Sequence, residues 1–168
     1  MGVQIIHDGG DSAYYSVLTD KIHLPKSEKF IGNYEYNSTV LHELSHATGA
    51  IHRLNRDIKN IFGSEAYAYE ELIAEISSCF MSSKLQIEQT ESHVKNHKAY
   101  VQSWIHAIKE KPEVLIKAIQ QAEKTTAYME FHAGIRDLKE YKTICSTSIE
   151  VEENQIYEPK KQKLTKSR

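Results

Sequence analysis

Two histidines four residues apart, with a glutamate between them, are the residues of this chain best spaced for metal chemistry. His42-Glu43-Leu44-Ser45-His46 has the form H-E-x-x-H. Residues four apart on a helix lie one turn above each other, so both imidazoles can face one ion. A Zn²⁺ held by three protein ligands lowers the pKa of a bound water to near neutral, and Glu43 can then remove a proton as general base. The motif predicts a zinc-dependent hydrolase with His42 and His46 as ligands.

The third ligand has two main candidates. His52 completes the longer string H-E-x-x-H-x-x-G-x-x-H, the metzincin form, in which Gly49 turns the chain so that a third histidine reaches the ion. Glu71 is the alternative, because Glu75 follows it by one helical turn and can accept the free N–H of a ligand histidine. The metzincin form also needs a methionine turn, and the downstream methionines fall in predicted helices, where packing is their usual role. From the residues alone both candidates stay open, and Glu70 and Glu75 are further carboxylates beside them.

Several other polar side chains bear on such a site. Tyr67 lies shortly before Glu71 and is a candidate donor to an oxyanion, with plain packing as the alternative. Arg53 and Arg56 can contact a substrate carboxylate or phosphate, although surface salt bridges are the favoured interpretation. His93 and His97 are also four apart, but the polar run around them predicts an exposed helix face.

The elements before the motif have the pattern of a small sheet. We predict a strand at Val3 to His7, and a second and third strand on either side of a turn near Thr19-Asp20. Together they predict an antiparallel sheet of about three strands. The strand around Tyr14 to Leu18 is a candidate edge along which an extended peptide can lie.

The rest of the chain has helical periodicity. Asn37 and Ser38 predict the start of the helix that carries the motif, and Gly49 predicts its end. Ser64 is a candidate cap for the next helix. Further helices are predicted at about 65–84, 92–110 and 112–131 from apolar residues that recur at three and four positions. The predicted fold class is α+β, with the small antiparallel sheet packed on a helical bundle.

The composition is that of an ordinary globular domain, with 168 residues, 40% of them apolar and 26% charged, and a net charge of -2. That charge argues against a chain built mainly to coat nucleic acid. The start lacks the pattern of a secretory signal, and no apolar run approaches the roughly 20 residues that span a bilayer, so we expect no membrane partner. Cys79 and Cys145 lack a paired spacing, which fits a reducing, cytoplasmic setting.

The end of the chain is polar and basic. We predict a domain at residues 1–135 and a polar extension at 136–168 whose end is disordered. The alternative for this end is a weak nucleic-acid contact through its basic residues. These residues are Lys160, Lys161, Lys163, Lys166 and Arg168.

Several collinear runs resemble one known family. "LHELSHATG", "RLNRD" and "FGSEAYAYEELIAEI", followed by "HKAYVQSWI" and "AEKTTAYM", resemble the C-terminal metallopeptidase domain of ArdC-type antirestriction proteins, which also occurs in plasmid primases and phage polyvalent proteins. "GGDSAYYSVLTDKIHLP" is similar to the strands before the motif in that family. The resemblance covers about Val3 to Met129 and implies a zincin-like fold. It further implies a zinc site whose ligands are His42, His46 and Glu71.

The resulting hypothesis is a zinc-dependent metallopeptidase that hydrolyses a protein or peptide substrate, associated with antirestriction and mobile elements. The alternative is a catalytically silent, zinc-bound module that acts by protein contact. Glu43 favours hydrolysis, because a purely structural zinc site is expected to fill its fourth position with a protein ligand.

Overall fold

The computed structural model describes residues 1–8, 10–58, 61–88, 91–107 and 111–146, without the side chains of 92, 93 and 107. Three strands precede five α-helices in this part of the chain. They are β1 (Gln4–His7), β2 (Tyr14–Ser16), β3 (Lys21–Leu24), α1 (Gly32–Thr48), α2 (Glu65–Lys84), α3 (Glu91–Ala107), α4 (Pro112–His132) and α5 (Leu138–Ser146), with a short 3₁₀ turn at Ser27–Lys29. None of these helices is long and apolar enough to cross a bilayer. The basic C-terminal residues and the predicted disordered end lie outside the described residues.

The sheet is mixed, with the strand order β1-β3-β2. β2 and β3 pair antiparallel across the predicted turn, but β1 pairs parallel with β3, so the prediction of an all-antiparallel sheet was wrong. β3 takes the central position, and its Ile22 and Leu24 are fully buried. The segment after β1 therefore crosses the sheet before β2 begins, and β1 runs in the same direction as β3. The α+β class itself is confirmed.

Helix α1 begins earlier than predicted. Asn37 and Ser38 lie inside the helix, and Ser38 donates its hydroxyl to the carbonyl of Glu35 at 3.1 Å. The Glu35 carboxylate instead accepts the backbone N–H of Ile31, which satisfies a donor that the first turn leaves unpaired. The predicted end is confirmed, since Gly49 is the residue that caps the C-terminus of α1.

The other helices follow their sequence signals more closely. Ser64 caps α2 as predicted, its hydroxyl accepting the backbone N–H of Tyr67 at 3.1 Å. Pro112 occupies the first turn of α4, also as predicted. Helix α5 lies in the segment that we predicted only as a polar extension. The sequence contains a capping residue for this helix, Asp137. Its carboxylate accepts the N–H of Glu140 at 2.8 Å in the manner of a helix N-cap.

Helix α2 packs against α1, α3 and α4 and is the centre of the helical bundle. Its Leu72 and Ile73 are almost completely buried, and each contributes about 1.5–3 kcal/mol of burial free energy. Small side chains on α2 and α4 let these helices approach closely, and they share one core cluster with Leu72 and Ile73. These small residues are Ala68, Ala118 and Ala122. Because α1 also packs on the sheet, its motif faces both α2 and β2.

Candidate metal centre

Two histidines of α1 and one glutamate of α2 bring three ligand atoms together. His42 Nε2 lies 3.1 Å from His46 Nε2. Glu71 places Oε2 3.4 Å from His42 Nε2 and Oε1 3.7 Å from His46 Nε2. A tetrahedral ion with ligands at about 2.0–2.2 Å separates its ligand atoms by about 3.3–3.6 Å. Two imidazole nitrogens and one carboxylate at these spacings fit a small divalent cation.

His52 lies elsewhere. Its Nε2 is 3.3 Å from Asp20 Oδ2, and its side chain is 56% exposed. Arg53 pairs with the same Asp20, so the expected salt bridge is present. The Arg53 side chain is only 2% exposed, however, and the predicted surface location was wrong. The structure thus brings Glu71, and not His52, to the two histidines. The role of Glu71 as third ligand stays our prediction.

A second pair of carboxylates lies behind the imidazoles. Glu75 Oε2 is 3.4 Å from His42 Nδ1, and Glu70 Oε1 is 3.2 Å from His46 Nδ1. Each histidine therefore has its Nδ1 against an outer carboxylate. Its Nε2 points to the other side, where the two Nε2 atoms and the Glu71 carboxylate form a triangle of ligand atoms. Such partners fix the tautomer and orientation of ligand histidines. The sequence predicted this role for Glu75 and missed it for Glu70, whose place beside Glu71 on a partly apolar helix was the available signal.

Arg56 is a buried part of this outer layer. Its side chain is 7% exposed and pairs with Glu70, so the predicted surface location was wrong. It also donates hydrogen bonds to the hydroxyls of Thr48 at 2.7 Å and Thr125 at 2.9 Å. The loop after α1 is thereby connected to α2 and to α4, directly behind His46.

The charges around the imidazoles favour a cation. Burial alone lowers the pKa of His42, but hydrogen bonds to Glu71 and Glu75 outweigh it and raise the pKa to about 10. Burial raises the pKa of Glu75, whereas His42 and His97 more than offset this effect and lower it to about 2. The carboxylates around the imidazoles therefore stabilise positive charge at this place, whether it is carried by the imidazoles or by a bound cation.

Glu43 is buried between two cavities that meet at the triangle. A cavity of about 430 Å³ is lined by Glu43, Glu71, Tyr67 and residues of β2. A second cavity, of about 540 Å³, shares His42, Glu43 and Glu71 with the first. Burial, and then a hydrogen bond to Glu71, raise the pKa of Tyr67, so its hydroxyl stays protonated and able to donate.

The prediction of an exposed histidine face on α3 was wrong for His97. This side chain is only 18% exposed and contacts the carboxylate of Glu75 through Nδ1. The hydroxyl of Tyr34 lies 2.6 Å from its other ring nitrogen, Nε2. The side chain of His93 lies outside the described residues. Polarity could not reveal this packing, because it depends on how α3 docks on α2.

A histidine pair on one helix, a carboxylate on the next helix and a small sheet beside them define a zincin-like metallopeptidase. The chain belongs to that family, since the family model described as "Zincin-like metallopeptidase" matches residues 1–121. The zincin-like fold and the family that the sequence resembled are thereby confirmed.

Two other proteins are similar to this chain over about three quarters of its length. The chain is 43% identical over 128 residues to the DNA primase TraC of Escherichia coli, covering 76% of this chain and 9% of the primase. It is 35% identical over 129 residues to the uncharacterized protein y4eC of Sinorhizobium fredii, covering 77% of this chain and 41% of that protein. The chain therefore spans about a tenth of the primase and less than half of y4eC.

Solved structures of one protein are also similar. The Mn(II)-bound crystal structure of the antirestriction ArdC protein from plasmid R388 aligns with a TM-score of 0.65 and 33% identity, covering 81% of this chain and 50% of ArdC. Its metal-free structure aligns with a TM-score of 0.62, covering 81% of this chain and 48% of ArdC. The similarity thus concerns about half of the ArdC chain.

Proposed function

We propose that this chain is a metal-dependent peptidase domain whose cation, Zn²⁺, is held by His42, His46 and Glu71. The observation that carries the proposal is the placement of Glu43, which is buried at the junction of the two cavities and immediately follows His42. When bound, a divalent cation supplies a Lewis acid that lowers the pKa of water and polarises a carbonyl.

The side chains of the pocket have distinct tasks in peptide-bond hydrolysis. Glu43 accepts a proton from the attacking water and passes it to the leaving amine. Tyr67 donates a hydrogen bond to the carbonyl oxygen as negative charge develops there. Glu70 and Glu75 hold the two imidazoles in orientation through their Nδ1 atoms.

The edge of the sheet supports a protein or peptide substrate. Among the described residues, β2 pairs only with β3, so its other edge is open to a further strand. Tyr14, Tyr15 and Val17 line the cavity that contains Glu43. An extended protein or peptide segment can add along β2 and place its backbone carbonyl near the metal centre.

Mutation of the proposed base tests the reaction. Glu43→Gln should retain the cation, because the three proposed metal ligands are unchanged. It should lower the rate of peptide cleavage by about 10²- to 10⁴-fold, because the general base is lost. Cleavage of a mixed peptide library is followed by mass spectrometry, and bound metal is measured on the same samples. Glu113→Gln, on the exposed start of α4, is the matched control. If Glu43→Gln cleaves as fast as the parent chain, Glu43 is not the base.

A catalytically silent antirestriction module is the second candidate, and the similarity to the antirestriction protein ArdC favours it. In cells challenged with a restriction system, a peptidase mechanism requires both Glu43 and His46. A silent module keeps its protection in Glu43→Gln and loses it in His46→Ala. The Mn(II)-bound form of ArdC supports a divalent cation here, with Zn²⁺ as our specific proposal.

Two further parts of the proposal concern partners and setting. The relatives named DNA primases support a weak nucleic-acid contact through the C-terminal lysines. Binding to a single-stranded oligonucleotide should then weaken steeply as salt rises.

Both cysteines are free thiols, which supports a reducing, cytoplasmic setting.

A further inference from the structure

A second group of ligand side chains lies next to the metal centre and is separate from its three ligands. Glu75 and Cys79 are four residues apart on α2, and His97 faces them from α3. Their nearest ligand atoms, a carboxylate oxygen, a thiol sulfur and an imidazole nitrogen, all lie within 4.8 Å of one another. Two residues at this spacing project from one face of the helix, as the histidines of α1 do.

The orientation of His97 is fixed by a neighbour. Tyr34, which is 7% exposed, places its hydroxyl 2.6 Å from His97 Nε2. The other ring nitrogen, Nδ1, is thereby directed at Glu75. A histidine that binds a metal usually donates a hydrogen bond from one ring nitrogen, and this bond orients the other nitrogen toward the ion.

Glu75 can serve both groups because its two oxygens are divided between them. Oε2 lies 3.4 Å from His42 Nδ1, on the side of the first centre. Oε1 contacts His97 Nδ1 on the other side. An ion bound by Oε1 would leave the contact with His42 in place. The two groups are therefore neighbours that share an outer carboxylate without sharing a ligand atom.

The cavity of about 540 Å³ gives access to two of the three ligands, Glu75 and His97. Glu75, His97 and Ser78 line its wall, together with His42 of the first centre. Cys79 is half-buried and His97 is 18% exposed, so an ion can reach them. Three protein ligands beside open space leave a fourth position for solvent.

We propose that Glu75, Cys79 and His97 form a second cation site, selective for zinc-type ions. A thiolate among the ligands favours Zn²⁺ and Co²⁺ over Mg²⁺, Ca²⁺ and Mn²⁺, which prefer oxygen ligands. On binding, the Cys79 thiol and His97 Nδ1 each release a proton to solvent, and His97 Nε2–H donates to the Tyr34 hydroxyl. This site does not depend on peptidase activity.

Cobalt titration of the full chain tests the proposal, because a thiolate ligand gives Co²⁺ an intense near-ultraviolet charge-transfer band and imidazole or carboxylate ligands do not. The parent chain should bind two equivalents of Co²⁺ and develop this band. Cys79→Ser should bind one equivalent and lack the band, and His97→Asn should lose the same equivalent. Cys145→Ser is the matched cysteine control and should behave as the parent does.

Two further measurements separate this site from the first centre. His46→Ala should keep the thiolate band while it loses the other equivalent, and Mn²⁺ should bind at one equivalent in both the parent and Cys79→Ser. Absence of the band at saturating Co²⁺ in the parent overturns the proposal. Its persistence in Cys79→Ser does so too. Neither result bears on whether Glu43 acts in hydrolysis, which is read from peptide cleavage.

Discussion

Arg56 donates two hydrogen bonds to the carboxylate of Glu70, from Nη2 to Oε1 at 2.7 Å and from Nε to Oε2 at 3.0 Å. The same Oε1 lies 3.2 Å from His46 Nδ1. A residue of the loop after α1 therefore fixes the carboxylate that orients a proposed metal ligand. Both partners are nearly buried, at 7% and 8% side-chain exposure, so the pair is sensitive to loss of either charge.

Replacing Arg56 with methionine should destabilise the chain by about 3–5 kcal/mol, because it leaves the buried Glu70 carboxylate without its cation. Urea unfolding of the metal-free protein measures this change. The double variant Arg56→Met and Glu70→Met should recover most of the loss, since no buried charge is then unpaired. A loss below about 1 kcal/mol in the single variant would contradict a buried pair.

In a Cys79→Ser background, which removes the proposed second site, Glu71→Ala should abolish tight binding of Zn²⁺, whereas His52→Ala should leave it unchanged. Glu71 supplies the third ligand atom of the triangle, but His52 lies on Asp20 and is largely exposed. Isothermal titration with Zn²⁺ in the presence of a competing chelator gives both affinities. Loss of binding only in the His52 variant would assign the third ligand to His52 and restore the metzincin interpretation.

The sequence predicted the parts of the centre that follow from local periodicity. His42 and His46 are four residues apart, as are Glu71 and Glu75. Each pair therefore shares one face of its helix, and this could be predicted without knowing how the helices pack. The histidine contact at α3 was different. His97 sits in a polar run, and only the docking of α3 on α2 places it against Glu75.

The fold shows the same division between local and distant determinants. The run Val3 to His7 indicated β1 as a strand, but such a run carries no information on the strand's partner or direction, and β1 pairs parallel with β3. The start of α1 was misplaced because Glu35 satisfies the N-terminal donor from inside the helix. Asn37 and Ser38 are favourable caps in general, and the longer helix overrides them here.

Gly49→Ala should lower stability by about 1–3 kcal/mol through steric overlap. A Cβ at this position would lie 2.5 Å from Ile58 Cγ2 and 3.1 Å from Arg56 Nη2. The backbone φ of -75° suits any residue, so the cost is one of space. Thermal unfolding measures it. Gly10→Ala is the control, because a Cβ there meets only Asp8 Oδ1 at 3.4 Å, and a Gly49 variant as stable as this control would refute the close approach.

Asp20→Asn should remove an acid-sensitive part of the stability. Two hydrogen bonds from the Arg53 guanidinium, at 2.7 and 2.8 Å, lower the pKa of Asp20 to about 2 from its ordinary value of 3.8. Because the folded pKa is the lower one, the contribution is complete above about pH 4 and is lost as the pH falls through about 2. The parent should therefore exceed the variant in stability at neutral pH, and the difference should shrink over this range.

Asparagine is the suitable replacement because Asp20 has a φ of 52°, a left-handed conformation that asparagine tolerates, and because the two side chains have nearly the same size. The charge is then the main property removed. Urea unfolding midpoints of both proteins, measured stepwise from neutral pH to about pH 2, give the comparison. A difference that stays constant across the acid range would mean that Asp20 and Arg53 are not paired as ions in solution. The turn between β2 and β3 would then be held by neutral hydrogen bonds, such as the one that Tyr15 donates to Asp20 at 2.7 Å.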